Sequence, residues 1–282
     1  MNDSPLKEFL GSCYKNKNFM LGFVIVLSII IFAAFADQIA PYRFDEAHPA
    51  DILVAPCPEY ILGTDNMGRD LFSRIIYGSR ITLQVAVLGA GLQLVFGVTI
   101  GLICGYFGGA ADRALTFAAD LTWCIPGMIM ALAVVTIIGA GLTNAIIAIA
   151  IVNWASYARI VRAKTMSIKN QAFIETGISF GESPVSIMLR YILPNIVPVL
   201  IVTVSMQLPG TIMSTTTLSF LGVGSRPPSP DWGLMVSEGI NFITRGPWLC
   251  IFPGLALVYT VFGFNVLGEG LRDLLDPRMK SQ

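Results

Sequence analysis

The sequence has little charge and almost no histidine. Charged residues make up 13% of the 282 residues, and there is one histidine. Soluble globular chains carry roughly 25% charged residues, so a chain with 54% hydrophobic residues and this little charge cannot be an ordinary soluble domain. The 18 basic and 18 acidic residues balance. This balance excludes the basic excess that is typical of nucleic-acid-binding proteins.

Motifs for metal binding and catalysis are also missing. The five cysteines are odd in number and include no C-x-x-C, so they predict neither a disulfide framework nor a zinc site. His48 lies in a polar segment and is interpreted as a solvated residue rather than a metal ligand. The sequence contains no G-x-x-x-x-G-K-[ST], H-E-x-x-H or G-x-S-x-G motif. We therefore predict no metal site, no catalytic residue and no cofactor held by this chain.

What the sequence does contain is long apolar runs. A helix that crosses a bilayer needs about 20 predominantly apolar residues. Six segments approach that length: Phe19–Ala36, Ile81–Tyr106, Arg113–Ile138, the stretch from the turn at Gly139–Asn144 to Tyr157, Ile192–Thr216 and Trp248–Leu267. Pro194, Pro198 and Pro209 predict that the fifth span is bent or broken. The predicted fold class is all-α transmembrane, a six-helix polytopic bundle.

The distribution of lysine and arginine predicts the orientation of this bundle. With both termini cytoplasmic, the inside segments hold 12 basic residues and the outside segments 6, which agrees with the positive-inside rule. The predicted regions are a cytoplasmic segment (1–18), a first transmembrane helix (19–36), an external loop (37–80) and a core domain (81–282) that includes a cytoplasmic loop (159–191). A signal peptide cleaved after Ala34-Phe35-Ala36 is the disfavoured alternative, because the apolar stretch is longer than usual.

The cytoplasmic loop contains the most informative motif. It carries Glu175-Thr176-Gly177, then Gly181, and further on Leu193-Pro194. Gly177 and Gly181 are four residues apart, so we expect them to share one face of a short helix. Glu175 suits the N-terminal end of that helix, and Pro194 is expected to start the next span. This segment resembles the EAA loop in the membrane subunits of ABC importers.

Motifs in the rest of the chain resemble the same proteins. They are Arg69–Arg74, Tyr77–Arg80, Gly105–Gly109, Ala158–Arg162, Leu218–Gly222, Pro230–Gly233 and a tail from Asn265 to Arg278. Their order along nearly the whole chain is similar to that of the permeases of dipeptide, oligopeptide and nickel importers, in particular the second, or C-type, permease of each pair. The resemblance implies a type I ABC importer permease fold.

The resemblance also implies partners and a location. We expect a homologous second permease, two cytoplasmic ATPases, an extracytoplasmic substrate-binding protein and the lipid bilayer of a bacterial or archaeal inner membrane. ATP and magnesium would be bound by the ATPases, which would dock on Glu175, Thr176, Gly177, Gly181, Leu193 and Pro194. The expected substrates are dipeptides or oligopeptides, with nickel, a metal chelate or glutathione-like peptides as alternatives.

Four residues are candidates for the translocation path: Asp120, Pro126, Thr215 and Ser219. Asp120 is an ionisable group at membrane depth, for which a functional role is the usual hypothesis, but the favoured interpretation is a structural hydrogen bond to Thr122, Trp123 or a neighbouring helix. Two positions depart from the family pattern. Thr215 replaces a common acidic residue, and Phe117 replaces a basic residue, which is expected to leave Asp120 without its usual partner. Arg159 and Arg162 are interpreted as anchors at the cytoplasmic face.

Glycines recur every four residues at Gly97, Gly101, Gly105 and Gly109. Such rows allow helices to approach closely in lipid, so we predict helix packing, with a gating role as the alternative.

Two other classes of protein remain as alternatives. An ion-coupled secondary transporter usually has inverted repeats and several ionisable residues at the membrane midplane, and Asp120 alone fits that pattern. A membrane scaffold without transport predicts no ATPase partner and tolerance of changes at Gly177 and Gly181.

Overall fold

The computed structural model describes residues 11–275, where the regular structure is helical apart from an isolated β-bridge between Thr64 and Asp70. The predicted N-terminal segment and the tail motif ending at Arg278 lie partly outside these residues. The helices are α1 (Lys17–Ala34), α2 (Ala36–Ile39), α3 (Leu71–Phe107), α4 (Gly109–Cys124), α5 (Gly127–Ile138), α6 (Leu142–Lys169), α7 (Ala172–Ser179), α8 (Pro184–Phe220), α9 (Trp232–Ile240) and α10 (Trp248–Leu275).

Five helices are long and apolar enough to cross a membrane, namely α1, α3, α6, α8 and α10. The predicted third span is instead a pair, α4 and α5, bent by 96°. Pro126 causes the break because a residue before proline is disfavoured in the helical conformation, and Ile125 is extended. The prediction of one continuous helix over Arg113–Ile138 is therefore wrong. With the bent pair counted as one span, the number of spans is the predicted six.

Helix α3 is longer than the predicted second span. It contains 37 residues, or about 55 Å at the usual rise per residue. It begins at Leu71, where the side chain of Asp70 accepts a hydrogen bond of 2.8 Å from the Ser73 N–H and caps the helix. The last residues of the predicted external loop therefore belong to α3.

Helix α8 also starts earlier than the sequence predicts. It begins at Pro184, and residues Ile187–Ile192 form a π-helical turn in which the Leu193 N–H bonds to the Met188 carbonyl. Pro194 is the second residue of the regular α-helical part, Leu193–Phe220, so it lies at the start of that part as predicted. The helix itself continues back through the π turn to Pro184.

Helices α3 and α6 pack along a row of glycines. Side chains added at Gly97, Gly101 and Gly105 would collide with Tyr157, Val161 and Thr165 of α6, respectively. Gly109 continues the spacing but not the contact. It follows the end of α3, has a φ of +62° and is surrounded by open space. The structure thus places three of the four predicted packing glycines between the helices and the fourth outside.

Residues 41–70 and α9 fold together into a cap over the end of the bundle where α3 begins. The Trp248 side chain at the start of α10 donates a hydrogen bond of 3.1 Å to the Thr64 carbonyl in the cap. His48 is half-buried there, with its ring 5.3 Å from that of Tyr42. The side chain of His48 is thus solvated only in part, with 30% of its surface exposed. Among residues 11–275, no three His, Cys, Asp or Glu side chains are grouped to hold a metal ion.

Candidate coupling site and translocation path

Helix α7 lies at the end of the bundle opposite the cap, and its C-terminus forms a Schellman motif. The Gly181 N–H donates to the Ile178 carbonyl at 2.9 Å, and the Glu182 N–H donates to the Gly177 carbonyl at 3.1 Å. Gly181 has a φ of +79°, the left-handed conformation that the motif needs. The prediction that Gly177 and Gly181 share one helix face is wrong, because Gly181 follows the end of the helix.

One face of α7 is anchored in the bundle. Ile174 has no exposed surface and lies in an apolar cluster with α3, α6 and α8. The cluster includes Leu102, Tyr106, Val161, Ile168, Ile187, Met188, Ile192, Ile196 and Leu200. Gly177 is buried as well, and a Cβ atom there would lie 3.9 Å from the Tyr191 ring. Packing within the chain therefore leaves room for a small side chain at Gly177.

Large apolar side chains beside this buried face, on α7 and at the residue that follows it, are uncovered. Phe173, Ile178 and Phe180 expose 39%, 51% and 84% of their surface. Glu175 and Thr176 are exposed beside them, and Glu175 lies in the first turn, where a negative charge stabilises the helix. A patch of large apolar side chains with polar neighbours marks a surface for another protein. The predicted coupling residues of α7 lie in or next to this patch.

Glu182 connects the end of α7 to the first turns of α8. Its carboxylate accepts hydrogen bonds from the hydroxyl groups of Ser186 and Tyr191, the latter at 2.8 Å. These bonds, the one from Ser186 first, lower the pKa of Glu182. Leu193 packs against the apolar cluster and Pro194 is exposed. The two segments that carry the predicted coupling residues are therefore held together by a clamp that the sequence did not indicate.

An ion pair lies between α4 and α6. Arg159 Nη2 donates a hydrogen bond of 3.1 Å to Asp120 Oδ1, and the guanidinium lies 3.8 Å from the centre of the Trp123 ring. The side chains of Arg159 and Asp120 expose 47% and 60% of their surface. Position 117 supplies no basic partner for Asp120, as expected, but α6 supplies one that is distant in sequence. Arg159 is likewise more than an anchor at the cytoplasmic face.

This ion pair lies at membrane depth. Arg159 precedes the end of α6 at Lys169 by ten residues, or about 15 Å along the axis. The 28 residues of α6 span about 42 Å, so Arg159 falls within a hydrocarbon layer of about 30 Å. Charged groups at this depth face an aqueous cavity or another protein chain rather than lipid. The half-exposed pair therefore marks a face of the chain that lipid does not cover.

A second ion pair joins the same two helices. Both Nε and Nη2 of Arg162 donate to the carboxylate of Asp112, the latter at 2.7 Å. The two side chains expose 27% and 20% of their surface. Two parallel hydrogen bonds fix the orientation of both groups. A cavity of about 290 Å³ borders on both arginines and on Asp120.

Helix α4 has an interruption at each end. Gly108 precedes the helix and Gly109 is its first residue. Their φ values are +66° and +62°, which glycine adopts readily. Ile125 and Pro126 follow it in non-helical conformations. Pro126, a predicted path residue, is exposed at this second break. The helix is thus a rigid segment between two points where the backbone can turn.

The other two predicted path residues are buried. Thr215 is 1% exposed, and its hydroxyl donates to the Thr211 carbonyl at 3.0 Å. Ser219 has no exposed surface, and its hydroxyl donates to Asp231 Oδ2 at 3.0 Å. In this structure neither residue lines an open path, so they do not share a surface with Asp120.

Four charged side chains lie together at the junction of the cap with α3. Arg69 Nε is 2.6 Å and Arg74 Nε 3.5 Å from the same oxygen of Asp65. The two guanidinium groups also lie 3.6 and 3.8 Å from Glu238 of α9. The arginine side chains expose only 3% and 1% of their surface. This cluster fastens α3 to α9, and the sequence offered no regular spacing that would have revealed it.

Asp231 forms a second junction between the cap and the bundle. One carboxylate oxygen accepts hydrogen bonds from the N–H groups of Gly233 and Leu234 at 2.8 and 3.2 Å and so caps α9. The other oxygen accepts from the hydroxyls of Ser219 and Ser225. Asp231 therefore ties the end of α8 to the start of α9.

A helical bundle with a broken span, an ion pair at the expected membrane depth and an exposed apolar patch at one end is typical of a membrane transport subunit. Comparison with known proteins agrees with this class. The chain belongs to the family of binding-protein-dependent transport system inner membrane components, whose model matches residues 97–281. A model of the N-terminal transmembrane domain of oligopeptide transport permease C matches residues 4–56.

Curated relatives extend over almost the whole chain. The dipeptide transport system permease protein DppC of Alkalihalophilus pseudofirmus is 40% identical over 99% of this chain and 91% of its own length. The glutathione transport system permease protein GsiD of Pectobacterium atrosepticum is 38% identical over 99% and 93%. DppC of Haemophilus influenzae is 37% identical over 98% and 96%. The chain is a multi-pass inner-membrane permease subunit of an ABC importer, which confirms the prediction.

A solved structure agrees with the fold. The chain matches the inward-facing MetNI methionine ABC transporter with a TM-score of 0.58 and 19% sequence identity, over 71% of this chain and 96% of the other. The predicted type I importer permease fold is confirmed.

Proposed function

We propose that the chain is one of two homologous permeases in an importer of dipeptides or oligopeptides and itself catalyses no bond chemistry. The curated relatives named for dipeptides and for glutathione, which is a short peptide, support this substrate class. The second permease completes a central path, and the half-exposed pair of Asp120 and Arg159 faces that path. Nickel or a metal chelate is the alternative substrate, and an uptake experiment in proteoliposomes distinguishes it from peptides.

Two ATPase subunits bind ATP and magnesium and dock from the cytoplasm, one on each permease. An extracytoplasmic binding protein delivers the peptide at the cap. Both termini of this chain lie in the cytoplasm, as the distribution of basic residues indicates. The bilayer covers the outer apolar side chains of the spanning helices, such as Val95 and Val258, which expose 61% and 65% of their surface in the isolated chain.

Coupling follows from how α7 is attached. Movement of an ATPase against the exposed face of α7 displaces Ile174, which is packed among residues of α3, α6 and α8. The Glu182 clamp makes α7 and the start of α8 move together. Because close-packed elements shift as units, closure of the ATPases is transmitted to the spanning helices, which alternate between inward and outward openings.

The observation that carries the proposal is the uncovered patch of apolar side chains on and directly after α7, above all Phe180, which is 84% exposed. The first test is purification of the tagged chain from gently solubilised native membranes, with co-purifying subunits identified by mass. We expect a second permease and Walker-A ATPases. Recovery of the chain alone, stable and monodisperse, would favour a secondary transporter.

A variant makes this test specific for α7. Phe180→Ser should lower the yield of ATPase about tenfold, as expected for loss of an interface anchor, while the second permease is retained. The matched control is Ile137→Ser on α5, because Ile137 is 85% exposed but lies outside α7, and it should leave the ATPase yield unchanged. Full ATPase recovery with Phe180→Ser would show that the docking surface lies elsewhere.

The substrate class is tested in proteoliposomes that contain the complete importer and its binding protein. ATP-driven uptake of labelled dialanine is expected, with competition by unlabelled oligopeptides and glutathione. Uptake of nickel without competition by peptides would support the alternative.

A further inference from the structure

We propose that Asp120 and Arg159 form a substrate-contact pair that exchanges its mutual ion pair for ion pairs with the charged termini of a peptide in transit. The ammonium group of the peptide binds Asp120, and its carboxylate binds Arg159. This inference rests on the proposed function and adds the groups that recognise a zwitterionic substrate inside the path.

The first support is that the pair is only partly engaged. One nitrogen of Arg159 contacts one oxygen of Asp120 at 3.1 Å. Within residues 11–275, Asp120 Oδ2 and the remaining guanidinium nitrogens make no further hydrogen bond or ion pair. About half of each side chain is exposed. Donors and acceptors are therefore available to a ligand while the pair is still formed.

The second support is the contrast with Asp112 and Arg162 on the same two helices. That pair is bidentate and less exposed, so its groups already satisfy each other. It holds α4 against α6 when the other pair opens. The pair of Asp112 and Arg162 therefore stays formed, whereas the pair of Asp120 and Arg159 has donors and acceptors that are not in use.

The third support is space and orientation. The cavity of about 290 Å³ beside the pair is bordered by Leu115, Thr116, Ala119 and Ala155 as well as by the charged groups. The Trp123 ring lies 3.8 Å from the Arg159 guanidinium, so it can hold the arginine in place after Asp120 turns to a ligand.

The chemistry selects for molecules with both charges. A zwitterion replaces both halves of the protein ion pair, whereas a ligand with one charge leaves one protein charge unpaired at membrane depth. A neutral ligand replaces neither. A zwitterion therefore forms two ion pairs for the one that it breaks, whereas a ligand with one charge forms only one, so zwitterionic peptides are favoured.

The experiment uses the native thiol of Cys124, which is exposed next to Trp123. The assembled permease–ATPase complex is placed in nanodiscs without its binding protein, so that the binding protein cannot impose its own selectivity. Labelling of Cys124 by a charged, water-soluble methanethiosulfonate reagent is followed by mass spectrometry. The Cys124→Ser variant gives the background from other cysteines.

The two probes are dialanine and N-acetyl-dialanine amide, which have similar shape but differ in charge. We expect dialanine to slow the labelling of Cys124 about threefold or more, in line with weak binding at millimolar concentration, and the neutral analogue to have no effect. Arg159→Gln and Asp120→Asn should abolish the protection, and Arg159→Lys should keep part of it. Assembly of each variant is checked by ATPase co-purification.

The outcomes separate the two proposals. Three results with a labelled Cys124 would show that the charge-recognition proposal is wrong: equal protection by both probes, protection by neither, or protection that survives in Arg159→Gln. The placement of the path on α4 and α6 would be unaffected by these results. If Cys124 in the intact complex resists the reagent altogether, another chain covers this face. That result would overturn both the contact pair and the placement of the path on α4 and α6.

Discussion

The cap and the path face use ion pairs in opposite ways. At the cap, Arg69 and Arg74 are almost fully buried and share Asp65 and Glu238. On the path face, a single contact joins two half-exposed groups. Removing a partner from a buried cluster leaves an uncompensated charge, whereas exposed pairs are held weakly. Buried ion pairs in this chain thus hold the helices and the cap together, whereas the half-exposed pair can contact a solute.

The largest effect is expected at the cap. Arg74→Met should destabilise the chain by about 3–5 kcal/mol, because it leaves Asp65 and Glu238 short of a buried partner and removes hydrogen bonds to the Pro228 and Ser229 carbonyls. Thermal unfolding in detergent, followed with a thiol-reactive dye that reports buried cysteines, measures this change. A melting temperature equal to that of the wild type would contradict the assignment of the cluster as a structural element.

A smaller loss is expected at the second cap junction. Asp231→Ala should cost about 1–3 kcal/mol, since it removes the cap of α9 and leaves buried hydroxyl groups of Ser219 and Ser225 without their acceptor. Asp231→Asn, which keeps one acceptor oxygen, should lose less in the same melting assay. Equal losses for the two variants would mean that the charge, rather than the capping hydrogen bonds, dominates.

The two ion pairs on α4 and α6 offer a matched test. Arg162→Gln should destabilise the chain by about 1–2 kcal/mol because its pair is bidentate and partly buried. Arg159→Gln should change stability by no more than about 0.5 kcal/mol, while it abolishes the protection of Cys124 by dialanine. The comparison would break down if Arg159→Gln were the more destabilising of the two in the melting assay.

The smallest effect concerns pH at α7. Hydrogen bonds from Ser186 and Tyr191 lower the pKa of Glu182. Their stabilising contribution is therefore complete above the ordinary pKa of a glutamate and is lost as the pH falls through the lowered value. Hydrogen exchange in residues 173–183, corrected for intrinsic rates, should accelerate in that acidic range. In Glu182→Gln this pH dependence should disappear, and its persistence would assign the effect to another group.

The features that could be predicted from the sequence are those encoded locally. Apolar runs identified the spans, and the spacing of Gly97, Gly101 and Gly105 marked the contact with α6. Local patterns failed where a backbone turn interrupted a regular spacing. Gly109 follows the end of α3 and Gly181 follows the end of α7, so neither lies on the helix face that the four-residue spacing predicted.

The charged sites could not be predicted for a different reason. Asp120 and Arg159 lie on different helices, and the position of one gives no local sign of the other. The same is true of Arg69 and Glu238, which meet only when α9 folds onto the start of α3. Pro126 is a local signal for the break in the third span, although the prediction from the apolar run is a span over Arg113–Ile138 without a break.

The interruptions at both ends of α4 have a mechanical consequence. A straight rod of 16 residues is about 24 Å long, so a tilt of about 10° around Gly108 and Gly109 would displace its far end by about 4 Å. Such a swing leaves every hydrogen bond within the rod intact, and the backbone rotation is confined to the two junctions. A displacement of this size is close to the spacing of about 4.8 Å between neighbouring extended strands. It would be resisted by the two ion pairs with α6 and by the packing of Leu115 against Cys104 and Ala158, rather than by bending of the helix.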